Sequence, residues 1–105
     1  MLDELRGLVE KNKLIEQAKL LFSKNMEQYK IEDEEEFRSY FGSYKEDKLN
    51  IWLDSISYKV HNWPEGDYNY IMITFQLNYN NKIVGRYDAC FLLNGEFEND
   101  YFVMY

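Results

Sequence analysis

Apolar residues near the start of the chain recur at three- and four-residue steps: Leu5, Leu8, Val9, Ile15, Ala18, Leu21, Phe22, Met26 and Tyr29. That spacing lines one side of an α-helix and predicts an amphipathic helical segment over 2–30. The pattern lapses at Glu10-Lys11-Asn12-Lys13. Either one long helix runs through the lapse, or a short helix over 2–11 breaks before a longer one over 14–29. Gly7 weakens the first part. A short second helix is predicted over 33–41, with Asp33 as N-cap and Glu36 completing a capping box. Phe37, Tyr40 and Phe41 share its apolar face, and Gly42 supplies the stop.

From Leu49 onward the period changes to two, the signature of strands. The first strand is predicted over 49–61. Leu49, Ile51 and Leu53 take one parity and Ile56, Tyr58 and Val60 the other, so a bulge near Asp54-Ser55 is needed to put all six on one face. Asn62-Trp63-Pro64-Glu65-Gly66-Asp67 reads as a turn. The second strand, over 68–79, alternates cleanly. Asn69, Ile71, Ile73, Phe75, Leu77 and Tyr79 form its apolar side; Tyr68, Tyr70, Met72, Thr74, Gln76 and Asn78 form a mixed side. Asn80-Asn81 connects it to a third strand, over 82–93, that groups Ile83, Gly85, Tyr87, Ala89, Phe91 and Leu93. Asn94-Gly95 is read as a type I′ hairpin turn. The fourth strand, over 96–105, groups Phe97, Tyr101, Val103 and Tyr105. The expected fold is α+β: an N-terminal helix, whole or broken, and a short second helix packed on a curved four-stranded antiparallel meander. It forms one domain over 1–105, with a helical part over 1–48 and a sheet over 49–105. The long helix has to cover the apolar face of the sheet.

The 105 residues suffice for one ordinary core, and an aromatic share of 18% argues against disorder. A single cysteine, Cys90, allows no internal disulfide. The first residues are acidic where a signal peptide is basic, and no stretch approaches the ~20 apolar residues of a membrane helix. The expectation is a cytoplasmic protein that does not engage membranes. The formal charge is −7, spread as +1 over 1–30, −4 over 31–48 and −4 over 49–105. Nucleic-acid binding needs clustered bases and is disfavoured; a basic protein partner suits the charge better.

The element order resembles the cystatin-like and NTF2-like folds, in which a helix lies in the concavity of a curved antiparallel sheet. Lys82-Ile83-Val84-Gly85 is similar to the cystatin Gln-x-Val-x-Gly loop, but lacks the Gln and has the Gly one position early. Trp63-Pro64 reverses the Pro-Trp order of the second cystatin loop. No inhibitory residues are carried over. The NTF2-like resemblance implies a pocket between helix and sheet, usually closed by more elements than this chain has.

Candidate chemistry is sparse. Glu32-Asp33-Glu34-Glu35-Glu36 is a docking patch for a basic surface, or a solvated helix start favoured by the helix dipole. It lacks the ligand pattern of a calcium loop. His61, the only histidine, would need an oriented carboxylate for acid–base work, with Asp54 and Asp67 the candidates. His61 and Cys90 give too few ligands for zinc. Cys90 reads as a structural thiol, with Asp88 standing between it and Arg86. Asp54, Tyr58, Asp88 and the sheet tyrosines form a polarising site only if they share a closed cavity. The row Tyr68, Tyr70, Met72, Thr74 and Gln76 stands opposite the core side and suits an interface, since tyrosine buries area while keeping a polar tip.

With no cofactor, metal or catalytic motif recognised, the expected function is a non-enzymatic protein-binding module. An immunity-protein or inhibitor-like neutraliser of a basic partner fits the size and charge. Its expected partner-binding residues are Tyr68, Tyr70, Met72 and Glu32, Asp33, Glu34, Glu35, Glu36. Self-association through the sheet would use the same tyrosine row. Two alternatives remain open: an NTF2-like small-ligand binder or enzyme, and a soluble domain of a larger secretion or conjugation assembly.

Overall fold

A computed structural model describes residues 2–105. Three helices, α1 (Leu2–Lys11), α2 (Leu14–Glu32) and α3 (Glu34–Phe41), precede a 3-10 turn (Glu46–Lys48) and four strands. The strands are β1 (Leu49–His61), β2 (Tyr68–Tyr79), β3 (Lys82–Leu92) and β4 (Phe97–Met104). They form one antiparallel sheet in the order β1-β2-β3-β4, leaving β1 and β4 as edges. The fold is α+β, with the helices on one face of an open sheet.

The lapse in the first helix is a true break. Lys13 adopts a left-handed conformation (φ 51°), which an α-helix cannot carry through. The Asn12 side chain donates to the Leu8 carbonyl at 3.1 Å, beside the Asn12 amide, and the Gln17 side chain donates at 2.6 Å to the Asn12 carbonyl, which the break leaves without a backbone donor. Leu14, Ala18, Phe22 and Met26 recur every fourth residue of α2 and are all buried. They pack on Ile71, Ile73, Phe75 and Leu77 of β2 and on Tyr87, Ala89 and Phe91 of β3. Each of these seven strand residues is 0% exposed. Fully burying one large side chain is worth roughly 1.5–3 kcal/mol. Tyr87 meets Phe22 edge-on at 5.5 Å, and its hydroxyl donates to Asp100 of β4 at 2.8 Å; Asn25 of α2 donates to the same carboxylate.

α3 covers one end of this core with Phe37 and Phe41, which pack against Tyr44; Phe41 also reaches Tyr79. Asp33 sits at its N-cap position, but its side chain caps nothing, and only its carbonyl receives the Phe37 amide at 2.9 Å. The expected capping box is therefore absent. The backbone of Asp33 already serves as the C-cap of α2, donating to the Tyr29 carbonyl.

Three one-residue bulges set which side chains face the helices. In β1 the extra residue is Asp54, between the pairs Leu53–Phe75 and Ser55–Thr74. It places Leu49, Ile51, Leu53, Ile56, Tyr58 and Val60 opposite core-facing residues of β2, as the two parities require. In β3 the extra residue is Val84, so Ile83 leaves the expected group, pairs with Asn78 and is 53% exposed. In β4 the extra residue is Glu98, between Phe97 opposite Phe91 and Asn99 opposite Cys90. This splits the expected fourth-strand group, leaving Phe97 on the helix side opposite Phe91. Phe102 and Met104 join the core, while Tyr101 and Val103 turn to the other face, beside Asp88 and Arg86.

The turns also exchange roles. Asn80 (φ 53°) and Asn81 (φ 66°) both lie in the left-handed region, and Tyr79 pairs with Lys82, as a type I′ two-residue hairpin requires. At Asn94-Gly95 only Gly95 has positive φ (93°), and the Gly95 amide donates to the Leu92 carbonyl at 2.9 Å. That is a type I turn closed by a glycine bulge, in place of the expected I′ turn.

Candidate functional site

In a meander the first and third turns lie at the same end of the sheet. Here these are the 62–67 turn and the 93–96 turn. The pair Tyr70–Leu92 fixes this arrangement. Both turns, with the strand ends beside them, carry acids and aromatics together. Glu65, Asp67, Glu96 and Glu98 stand with exposed Trp63, Tyr68 and Tyr101, while Phe97 lies on the helix side, opposite Phe91 and beside Leu20, Leu21 and Lys24. No Lys or Arg occurs over 60–81 or 87–105.

On the face turned away from the helices, this end holds a depression of about 190 Å³ lined by His61, Tyr68, Tyr70, Cys90, Glu98, Asn99 and Tyr101. Every lining residue but Cys90 is held by a neighbour. The His61 ring stacks on Tyr70 at 5.0 Å, and its Nε2 lies 3.1 Å from the Tyr70 hydroxyl. Tyr68 stands edge-on to both rings, and its hydroxyl donates to Glu98. Asn99 donates to the Tyr101 hydroxyl at 3.0 Å. Asn62 donates to Asp67 at 2.5 Å and pins the first turn.

The field at this site is negative. Burial, then Asp88, Glu98 and Asp100, push the Cys90 thiol up to about 11, with Lys59 pulling weakly the other way. The hydrogen bond to Glu98 and partial desolvation push the Tyr68 phenol up to about 12. The Tyr70 phenol is raised by burial and then by Cys90, Tyr101 and Glu98. Thiol and phenols are therefore neutral near pH 7, and the site offers π faces beside a carboxylate. Further along the same face Thr74 donates to buried Asp88 at 2.7 Å, and Arg86 Nε pairs with the same carboxylate at 3.1 Å. That pairing keeps the Arg86 charge away from Cys90.

Of the residues expected to bind a partner, Tyr68, Tyr70 and Met72 do lie together on the open face. The acidic run does not join them. Glu32 ends α2, and Asp33 to Glu36 begin α3, on the helix side of the sheet. α3 packs beside Tyr79, at the far end of a strand twelve residues long. All five acids are exposed, and Glu34 pairs with Arg38 at 2.8 Å. The polarising set is also split. Tyr58 faces the core, whereas Asp54 receives a 3.4 Å bond from Gln76 and Asp88 is held by Thr74 and Arg86. His61 has no carboxylate partner: Asp67 bonds Asn62 and Asp54 bonds Gln76. Between α2 and β1 lies an open depression of about 320 Å³, lined in part by Phe22, Met26, Tyr44, Leu49 and Ile51. Among the described residues no cluster of His, Cys, Asp and Glu could hold a metal ion. No described helix is long and apolar enough to cross a membrane.

The sequence pattern does not single out Glu98 and Asn99, and it groups Tyr101 with Phe97, from which the bulge at Glu98 separates it. Their signal is the meander itself, since acids flanking odd-numbered turns must share one end. No family model, no curated protein and no solved structure matches this chain.

Proposed function

We propose that this protein is a non-enzymatic protein-binding module that engages a basic partner through the acidic, aromatic end of its open sheet face. The observation that carries this reading is the gathering of Trp63, Tyr68 and Tyr101, each at least 38% exposed, with Glu65, Asp67, Glu96 and Glu98 at one end of the sheet, where Tyr68, Tyr101 and Glu98 line the open-face depression. Exposed aromatics supply contact area and the carboxylates supply charge selection, the usual division of labour at an interface. A neutraliser of the immunity or inhibitor type would act in this way, by occupying a functional basic surface. The run Glu32 to Glu36 is then a solvated helix start, favoured by the helix dipole rather than used for docking.

The test is the mass of the protein in solution over a concentration series, alone and with a captured partner. The expected result is a monomer that forms a stoichiometric complex with one basic protein. Glu65→Lys with Glu96→Lys should weaken that complex at least about tenfold, the two reversals removing roughly 1.4 kcal/mol or more. Reversing Glu34, Glu35 and Glu36 should leave it intact. A tight homodimer with no partner, or a complex sensitive only to the helical acids, would overturn the proposal.

A further inference from the structure

Several features stand apart from the core, among them the depression beside β1, a larger one of about 620 Å³ lined by Phe37, Arg38 and Tyr44, the exposed edges of β1 and β4, and the depression between Tyr70 and Glu98. The last joins aromatic rings to a carboxylate in a small volume, and that chemistry names an occupant. We infer that the depression lined by His61, Tyr68, Tyr70, Glu98 and Tyr101 receives the guanidinium of a single arginine side chain from the partner. This rests on the proposed protein-binding role and specifies its central contact.

Size comes first. At about 190 Å³ the depression lies below the ~300–1,000 Å³ typical of small-molecule sites, and suits one side-chain head. Chemistry comes second. Three phenol rings and an imidazole line it, Glu98 is a wall residue, and the floor is the Cys90 thiol, 3% exposed. Aromatic faces attract cations, and a carboxylate beside them adds a charge-assisted acceptor. Glu98 has a second oxygen free of the bond from Tyr68 Oη, which ends on Oε1. Lys59 pairs with Tyr70 across β1 and β2 and acts only weakly on Cys90, and Arg86 is engaged by Asp88. A planar, weakly hydrated guanidinium suits flat rings better than a compact ammonium does.

Placement supports the same occupant. The side chains that shape the depression are braced before any ligand arrives: His61 on Tyr70, Tyr68 on Glu98 and Asn99 on Tyr101. A braced aromatic pocket loses little side-chain freedom on binding. Exposed Tyr68, 38%, and Tyr101, 49%, flank its mouth, and the acidic turns surround it.

The probe is N-acetyl-arginine amide, titrated into the full chain and followed by NMR of the tyrosine rings and the Asn99 side-chain amide. Saturable shifts at Tyr70, Tyr101 and Asn99 are expected. The citrulline analogue, which keeps the shape and loses the charge, should give none. The lysine analogue should bind about threefold more weakly or worse. Glu98→Gln, which keeps the shape of the wall, and Tyr70→Leu should each weaken arginine about threefold or more. Equal shifts with citrulline, a preference for lysine, or binding untouched by Glu98→Gln would each overturn the inference. So would the absence of saturable shifts. If a basic partner is still lost on Glu65→Lys with Glu96→Lys while arginine fails to enter, the docking reading stands and the arginine pocket alone falls.

Discussion

The two faces of β2 are made by alternate residues of a single strand, yet they are organised by different physics. On the helix side Ile71, Ile73, Phe75 and Leu77 are sealed beneath α2 and are 0% exposed. On the other side no secondary-structure layer lies above Tyr68, Tyr70, Met72, Thr74 and Gln76, yet Thr74 is only 6% exposed and the neighbouring Asp88 only 3%. The first face is held by apolar burial against a second layer. The second covers itself, through the Thr74–Asp88–Arg86 pairing and the flanking tyrosines. Self-cover buries the polar centre of this face while Tyr68 and Tyr101 stay exposed.

That contrast predicts an ordered series of effects. Phe75→Ala should cost about 3–5 kcal/mol in urea unfolding, as a cavity beneath the helix cannot collapse fully. Met72→Ala, on the half-buried side, should cost roughly 1–2 kcal/mol, and equal costs would erase the distinction between the faces. Asp88→Ala strands the Thr74 hydroxyl and releases Arg86; it should cost about 1–3 kcal/mol, with the helices keeping their circular dichroism. A null result would mean that the polar pairing adds nothing to the outer face.

Alkaline pH loads both faces at once. The Cys90 thiol of the outer face rises from 9.0 to about 11, and the helix-side phenols of Tyr29 and Tyr44 rise from 10.0 to about 12. In each case burial is the first cause, and the neutral form is the one the fold favours. The unfolded chain therefore loses these protons first as pH rises. Stability should stay flat up to about pH 9, then fall between pH 9 and 12, with the earliest loss removed in Cys90→Ala. A denaturation midpoint constant to pH 11 would refute the burial of all three groups. Smallest of all, Arg38→Ala breaks only the exposed pair with Glu34 and should change stability by less than about 0.5 kcal/mol.

Element boundaries were legible where alternation was strong. The first strand, its bulge at Asp54 and the clean parity of β2 all followed from where apolar residues change phase. The split of the fourth-strand group did not, because Phe97, Tyr101, Phe102, Val103, Met104 and Tyr105 offer apolar choices at both parities. Only pairing with β3 selects Phe102 and Met104 for the core. Asn94-Gly95 misled for a related reason. One glycine with positive φ satisfies both a type I′ turn and a type I turn with a bulge, and only the cross-strand hydrogen bonds decide between them. Of the candidate site, the tyrosine row was readable from β2 alone. Glu98, Asn99 and Tyr101 needed the register of a neighbouring strand, and the failure of the acidic run to join them needed the placement of α3.

Two of the three bulges fall on the outermost strands, Asp54 on β1 and Glu98 on β4. Each redirects side chains, and each also breaks the rhythm of free amides and carbonyls along an edge. A second chain laid against β1 or β4 would find hydrogen-bonding groups in step for only part of the strand, and an acidic residue where the step fails. The irregularity that aims side chains within the molecule thus also limits indefinite strand-by-strand growth between molecules.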